Sequence, residues 1–228
     1  MVNLASVVFD TRVDSGDFRP QYPNVDDVAQ KAITSCTVDD AVLRLHRYLW
    51  TPARYAHPRW LSSLGFSPKA SWRYGEYPLL DRGLNLALQR RRGTPLLPAQ
   101  LNDRQRRMVK MVSNINAFAL AIGLLKLGCN DYFLLPDYRK AILRWLDETL
   151  IWQIFGLCQG KNRAVFSPSV MIDTAFNLGI SVLHRAAQDD AILYAMLITL
   201  PPCERALWPS VPRLAMNLLE RTLCAKYR

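Results

Sequence analysis

The chain has 228 residues, 29 basic side chains against 19 acidic ones, and half of its positions are apolar. Six Trp, nine Tyr and eight Phe are enough to build a core, so disorder is excluded. The 10 Gly and 14 Pro follow no period, which excludes a collagen-like or low-complexity chain. Five cysteines, at 36, 129, 158, 203 and 224, form no CxxC pair. The expectation is free thiols in a reducing cytosol, with no metal and no cofactor. The start, MVNLASVVFD, lacks the basic and apolar regions of a secretory leader. The apolar stretches at 115–127 and 191–200 read as shorter than the ~20 residues a bilayer requires, so a soluble protein is expected.

Charge is unevenly distributed. Residues 1–43 carry seven acids and three bases, whereas residues 44–145 carry eighteen bases and five acids. Of the bases, 22 are Arg, the side chain of planar, bidentate contacts with carboxylate or phosphate. A basic middle fits an acidic protein partner, a nucleic acid or an anionic membrane, or a merely solvated surface.

In chain order, residues 1–25 are polar and turn-rich and read as an extended or poorly ordered arm, with a short strand conceivable near Val7. A helical domain over 26–228 follows. A short helix is expected over 25–35. Thr37 then reads as the cap of a clearer one, with Val38, Val42, Leu45 and Leu49 at helical spacing and Asp39 and Asp40 in its first turn. Residues 52–78 are irregular, aromatic and punctuated by Pro52, Pro58, Pro68 and Pro78, with a short helix opening at Pro58. The run 79–89 is helical despite Gly83, and Arg90, Arg91, Arg92 and Gly93 mark its end.

Asn102 with Gln105 resembles a capping box. It opens the strongest signal in the chain, a helical stripe of Met108, Met111, Val112, Ile115, Phe118, Ala119, Ile122 and Leu125 that stops at Gly128. Along it Arg106, Arg107 and Lys110 should point outward. A helix from Leu134-Leu135-Pro136-Asp137 to about Phe155 should hold Tyr138, Ile142, Trp145, Leu146, Leu150 and Ile154 on its inner face. Ser167-Pro168 opens a helix to about Ala187. Asp189 and Asp190 start a short apolar helix that ends at Pro201-Pro202, and 210–225 forms the last. The fold class is all-α, a single compact multi-helix domain of about seven or more helices behind the N-terminal arm.

Chemistry-bearing constellations are sparse. His46, His57 and His184 form no HExxH or HxH pattern. The pairs Asp26-Asp27, Asp39-Asp40, Asp147-Glu148 and Asp189-Asp190 are sequence neighbours, which diverge on a helix, and most of them sit at helix starts. No nucleotide-binding glycine loop and no GxSxG is present. No catalytic residue is therefore expected, although an enzyme with a dispersed site stays open. Arg90, Arg91, Arg92, Arg104, Arg106 and Arg107 form the strongest non-core feature. They flank one linker and could grip an acidic protein face or a nucleic acid, or simply be solvated. No RNP-like, helix-turn-helix or zinc-finger signature accompanies them.

The stretch Leu45 to Leu61, LHRYLWTPARYAHPRWL, resembles the N-terminal signature of the SctK family of type III secretion apparatus proteins, roughly F-x-P-x-x-Y-x-H-P-x-x-L. The matching positions are Pro52, Tyr55, His57, Pro58 and Leu61, with Trp50 where the family often has Phe. Within it Pro52, Tyr55, His57, Pro58, Trp60 and Leu61 read as a structural brace rather than a site. A second stretch, 118–145 with its Leu135-Pro136-Asp137 junction, is similar to the family's central portion. The C-terminal third has no matching motif. The resemblance implies a non-enzymatic adaptor in the bacterial cytoplasm, at the cytoplasmic face of the inner membrane. Its partners would be the cytoplasmic domain of an SctD-type ring protein and an SctQ-type pod protein of the sorting platform. The alternative is a basic, all-α nucleic-acid-binding protein of nucleocapsid type.

Overall fold

The computed structural model describes residues 39–67, 72–158, 160, 163–203, 211 and 213–226. The chain divides into two units, Met1–Val38 and Asp39–Arg228, and every described residue lies in the second. The expected arm, the strand near Val7, the helix over 25–35 and the cap at Thr37 fall outside the described residues.

Among the described residues the fold is all-α, with no strand. Twelve helices follow in order: α1 (Asp40–Trp50), α2 (Pro52–Tyr55), α3 (Pro58–Ser62), α4 (Pro78–Arg92), α5 (Asp103–Lys110), α6 (Ile115–Leu127), α7 (Asp131–Leu134), α8 (Pro136–Ile142), α9 (Glu148–Leu157), α10 (Pro168–Ala186), α11 (Ala191–Met196) and α12 (Arg213–Lys226). Short 3₁₀ turns follow α5 (Met111–Asn114) and α11 (Leu197–Thr199).

The centre is the pair α6 and α10, which share by far the most extensive helix contact among the described residues. Helix α6 is buried on all sides, as Ile115 and the run Phe118–Leu124 show, which is the pattern of a core helix. Its contact with α10 is made by small residues. A Cβ added to Gly123 would lie 1.7 Å from the Ala175 carbonyl oxygen, and one added to Gly179 would lie 1.7 Å from that of Ala119. The two backbones therefore touch, which only glycine permits at these points. Helices α9 and α12 close over α6, while α1 lies against α4, α5 and α11.

Local chemistry accounts for most boundaries. Asp39 caps α1, and its side chain accepts from the Ala41 N–H at 3.0 Å. The capping box at α5 is complete: Asn102 accepts from the Gln105 N–H and Gln105 from the Asn102 N–H, both at 2.9 Å. Gly128, at φ +61°, terminates α6 in the left-handed conformation.

Two expected elements are broken. The long stripe is not one α-helix but α5 and α6 joined through a 3₁₀ turn, where the Ser113 hydroxyl bonds back to the Lys110 carbonyl. Met108, Met111, Ile115, Phe118, Ala119 and Ile122 are buried as expected, while Val112 and Leu125 are half-buried. Arg106 and Lys110 are exposed and Arg107 is half-buried. The joined rod, Asp103–Leu127, has 25 residues and is long and apolar enough to cross a membrane by length and composition. The length argument made on 115–127 alone does not hold for it. Its most apolar window is 61% buried inside the fold, as a core helix is.

The helix expected from Pro136 to Phe155 is likewise interrupted at 143–147. Asp147 caps a new helix there by accepting from the Leu150 N–H at 2.7 Å. The turn leaves Trp145, expected inside, 55% exposed.

Candidate functional site

The segment from Pro52 to Leu61 fastens α1, α4 and the end of α11 together. Pro52 and Pro58 each stand at the first position of a helix, where a missing N–H costs nothing. The Tyr55 ring meets Tyr48 edge-on at 4.9 Å. The Ala53 N–H donates to Asn85 Oδ1 of α4 at 2.9 Å. His57 works twice: its ring Nδ1 accepts from the Arg59 N–H, capping α3, and its own backbone N–H donates to the Ile198 carbonyl at 2.9 Å. Burial lowers the His57 pKa, with the Arg59 charge adding to the effect. Trp60 is buried, and its indole N–H reaches the Leu200 carbonyl at 2.8 Å across 140 residues of sequence. Leu61 is buried as well. Each polar contact named here joins two parts of the fold or caps a helix end.

The arginines flanking the 93–101 linker go to different places. Helix α4 packs on α1 and α2, whereas α5 packs on α1, α11 and α12. Arg104 forms a bidentate pair with Glu220 of α12, at 3.1 to 3.3 Å. Arg106 pairs with Asp39 at 2.7 Å and with Asp103 at 3.5 Å. The Asp39 carboxyl is held below its ordinary range by the Ala41 N–H first and Arg106 second. Arg91 donates to the Ser63 carbonyl at 2.7 Å. Arg90 is exposed, and Arg107 is half-buried.

Arg92 sits in a built setting. Its guanidinium lies over the Tyr194 ring at 4.8 Å and the Trp60 ring at 5.5 Å, and its Nη2 donates to the Tyr194 carbonyl. The Tyr194 hydroxyl returns a bond to the Arg92 carbonyl. Burial pulls the Arg92 pKa below the usual arginine value. No carboxylate among the described residues pairs with it. Arg92 opens on a cleft of about 840 Å³ that also presents Thr94, His184, Gln188 and Asp189. A preorganised guanidinium without a counter-charge, facing an open cleft, is suited to receive an acidic side chain. The His184 Nε2–H donates to the Pro201 carbonyl at 3.3 Å, and burial lowers the pKa of the ring.

Among the described residues, no cluster of three or more His, Cys, Asp or Glu could hold a metal ion. Sequence reasoning missed Tyr194, Glu220 and the second cleft described below. The Arg104–Glu220 pair joins positions 116 residues apart, and neither residue carries a local pattern. Tyr194 stands within an apolar run, where nothing local marks it out.

No curated protein and no solved structure matches the chain. One family model does, over residues 43–202, from the second turn of α1 to the prolines after α11. That match takes in the Pro52–Leu61 brace, the Arg92 cleft and the α6–α10 pair, and spans well over half of the chain. The chain belongs to a family of type III secretion system subunits.

Proposed function

We propose that this subunit is a non-enzymatic adaptor of the secretion system's sorting platform. It links the cytoplasmic domain of the SctD-type ring protein to the SctQ-type pod protein, at the cytoplasmic face of the bacterial inner membrane. Family membership supports the setting. The observation that carries the finer role is the Pro52–Leu61 segment. It follows the SctK signature residue for residue at Pro52, Tyr55, His57, Pro58 and Leu61, and its Ala53, His57 and Trp60 N–H groups bond to other parts of the fold. The Arg92 cleft supports a docking role, because it offers a fixed positive group that lacks an internal counter-charge.

The nucleic-acid reading draws less support. Arg92, Arg104, Arg106 and Arg139 are engaged with aromatic rings, carbonyls or carboxylates of the fold itself. They do not form a solvated stripe of the kind a phosphate backbone requires.

The test is co-purification at physiological salt with the pod protein and the ring protein's cytoplasmic domain from the same secretion system. The adaptor reading expects both to be retained. Retention of neither, together with nucleic-acid binding that weakens steeply between low and moderate salt, would reverse the assignment.

A further inference from the structure

Helix α4 carries a second cleft, toward its N-terminal end. It encloses about 510 Å³ and is walled by Trp50, Tyr74, Pro78 and Leu86, with Asp81, Arg82, Asn85 and Gln89 contributed by α4. Asp81 lies roughly 16 Å along the helix from Arg92, at about 1.5 Å rise per residue. The two ends of α4 thus present opposite charges.

Asp81 is 5% exposed. Its Oδ2 accepts from the Gly75 N–H at 2.7 Å, and its Oδ1 has no hydrogen-bond partner. No basic side chain among the described residues pairs with it. A buried carboxyl oxygen without a donor is costly, and the cost falls when a donor arrives from outside. The surroundings are apolar and exposed: Trp50 is 67% exposed, Leu79 88% and Leu86 44%. Leu79 and Leu86, seven residues apart, share one face of α4. A large aromatic left in solvent on the same cleft as Leu86, with Leu79 exposed further along that helix face, is the composition of a docking surface rather than of an ordinary helix exterior.

The frame around the cleft is rigid. Gln89 Nε2 donates to the carbonyls of Leu49 and Trp50, which fixes the backbone that bears the Trp50 ring. Asn85 Nδ2 donates to the Tyr74 hydroxyl at 2.9 Å, while Asn85 Oδ1 holds the Ala53 N–H. The site is therefore formed before any guest binds, which reduces the ordering cost of association.

We propose that this cleft docks a partner-protein segment that inserts one basic side chain, flanked by apolar residues. The basic head meets the Asp81 carboxyl, and the Trp50 and Tyr74 rings supply faces that attract a cation. The flanking residues cover Leu79 and Leu86. Arg82, exposed at the rim, opposes a basic guest and supplies a charge test of the guest's sign. The proposal rests on the adaptor reading for the partner's identity, namely one of the two proteins named above.

The experiment measures the affinity of the full chain for the pod protein and for the ring protein's cytoplasmic domain, using wild type, Trp50→Ala and Arg82→Glu. Both substituted side chains are exposed, so melting curves should be unchanged. The expected result for one partner is a loss of roughly tenfold or more with Trp50→Ala and a faster-forming, tighter complex with Arg82→Glu. Unchanged affinity in both variants overturns the cleft and leaves the adaptor role standing. Weaker binding by Arg82→Glu shows an acidic guest and also overturns it. So does self-association of the chain that Trp50→Ala abolishes, which would assign the cleft to a second copy. If wild type binds neither protein, the adaptor reading fails. The cleft is then judged on the capped peptide Ac-Leu-Arg-Leu-NH₂, read by the Trp50 indole N–H resonance. A shift that Ac-Leu-Glu-Leu-NH₂ does not produce sustains the cleft, and no shift overturns it.

Discussion

Helices α6 and α4 make opposite use of glycine and of apolar side chains. Gly123 of α6 stands where the backbone of α10 leaves no room for a Cβ, whereas a Cβ at Gly83 of α4 would meet nothing within 4 Å. The leucines of α6 up to Leu124 are sealed from water, while α4 leaves Leu79 and Leu86 in solvent. The first helix is what the fold is built on. The second holds itself down with Leu84, Leu88, Asn85 and Gln89 and keeps its outer face unused by the fold. In a subunit of a larger apparatus, an outer face of that kind is where partners are expected.

The sharpest way to break the comparison is one substitution made in both kinds of helix. Gly179→Ala, on the α10 side of the backbone contact, should cost ~3 kcal/mol or more, because the overlap is with backbone that cannot move aside. Gly83→Ala in α4 should instead stabilise by about 0.5 to 1 kcal/mol, through helix propensity alone. Thermal or urea unfolding of the two variants reads both signs. Equal effects would show that the helices are not distinguished by packing.

Trp60→Ala should cost about 3 kcal/mol or more by urea unfolding, since it removes a large buried ring and orphans the Leu200 carbonyl. Trp50→Ala, on the exposed side, should leave the unfolding midpoint within experimental error. This pair extends the comparison to aromatics that stand ten residues apart in sequence.

Glu220→Gln should cost about 1 kcal/mol. The pair with Arg104 is bidentate, but the Arg104 side chain is 46% exposed, so solvent screens much of it. The smallest expected effect is on pH. His57 and His184 both have pKa values lowered by burial from the ordinary 6.5. Their unfolded forms therefore bind protons at a higher pH than their folded forms. Stability should be fully present above pH 6.5 and should fall as the pH drops below it toward the lowered folded values. His184→Gln should flatten that fall. A melting temperature that rises on acidification through this window would contradict the burial of both rings.

Much of the fold was legible in the sequence because periodicity and caps are local. The Asn102–Gln105 box, the prolines at helix starts and the Met108–Ile122 stripe all act within a few residues. The break at 143–147 was missed because Trp145 and Leu146 continue the apolar period. Only the cap chemistry of Asp147 marks the boundary, and in sequence it looked like an acidic pair inside a helix. The basic cluster was visible as composition, but the fates of its members depend on Glu220, Asp39 and Tyr194, which are remote in sequence. Asp81 gave no signal at all. An acid in a first helical turn is ordinary, and its unsatisfied oxygen exists only once the 73–77 loop folds over it.

A subunit that links two proteins, as proposed, has to take both at once on two of its faces. The most direct test is the mass, by light scattering on a sizing column, of an equimolar mixture of this chain, the pod protein and the ring protein's cytoplasmic domain. The expected result is a single species containing all three, formed only when this chain is present to join the other two. Two separate binary complexes, or displacement of one partner by the other, would contradict it.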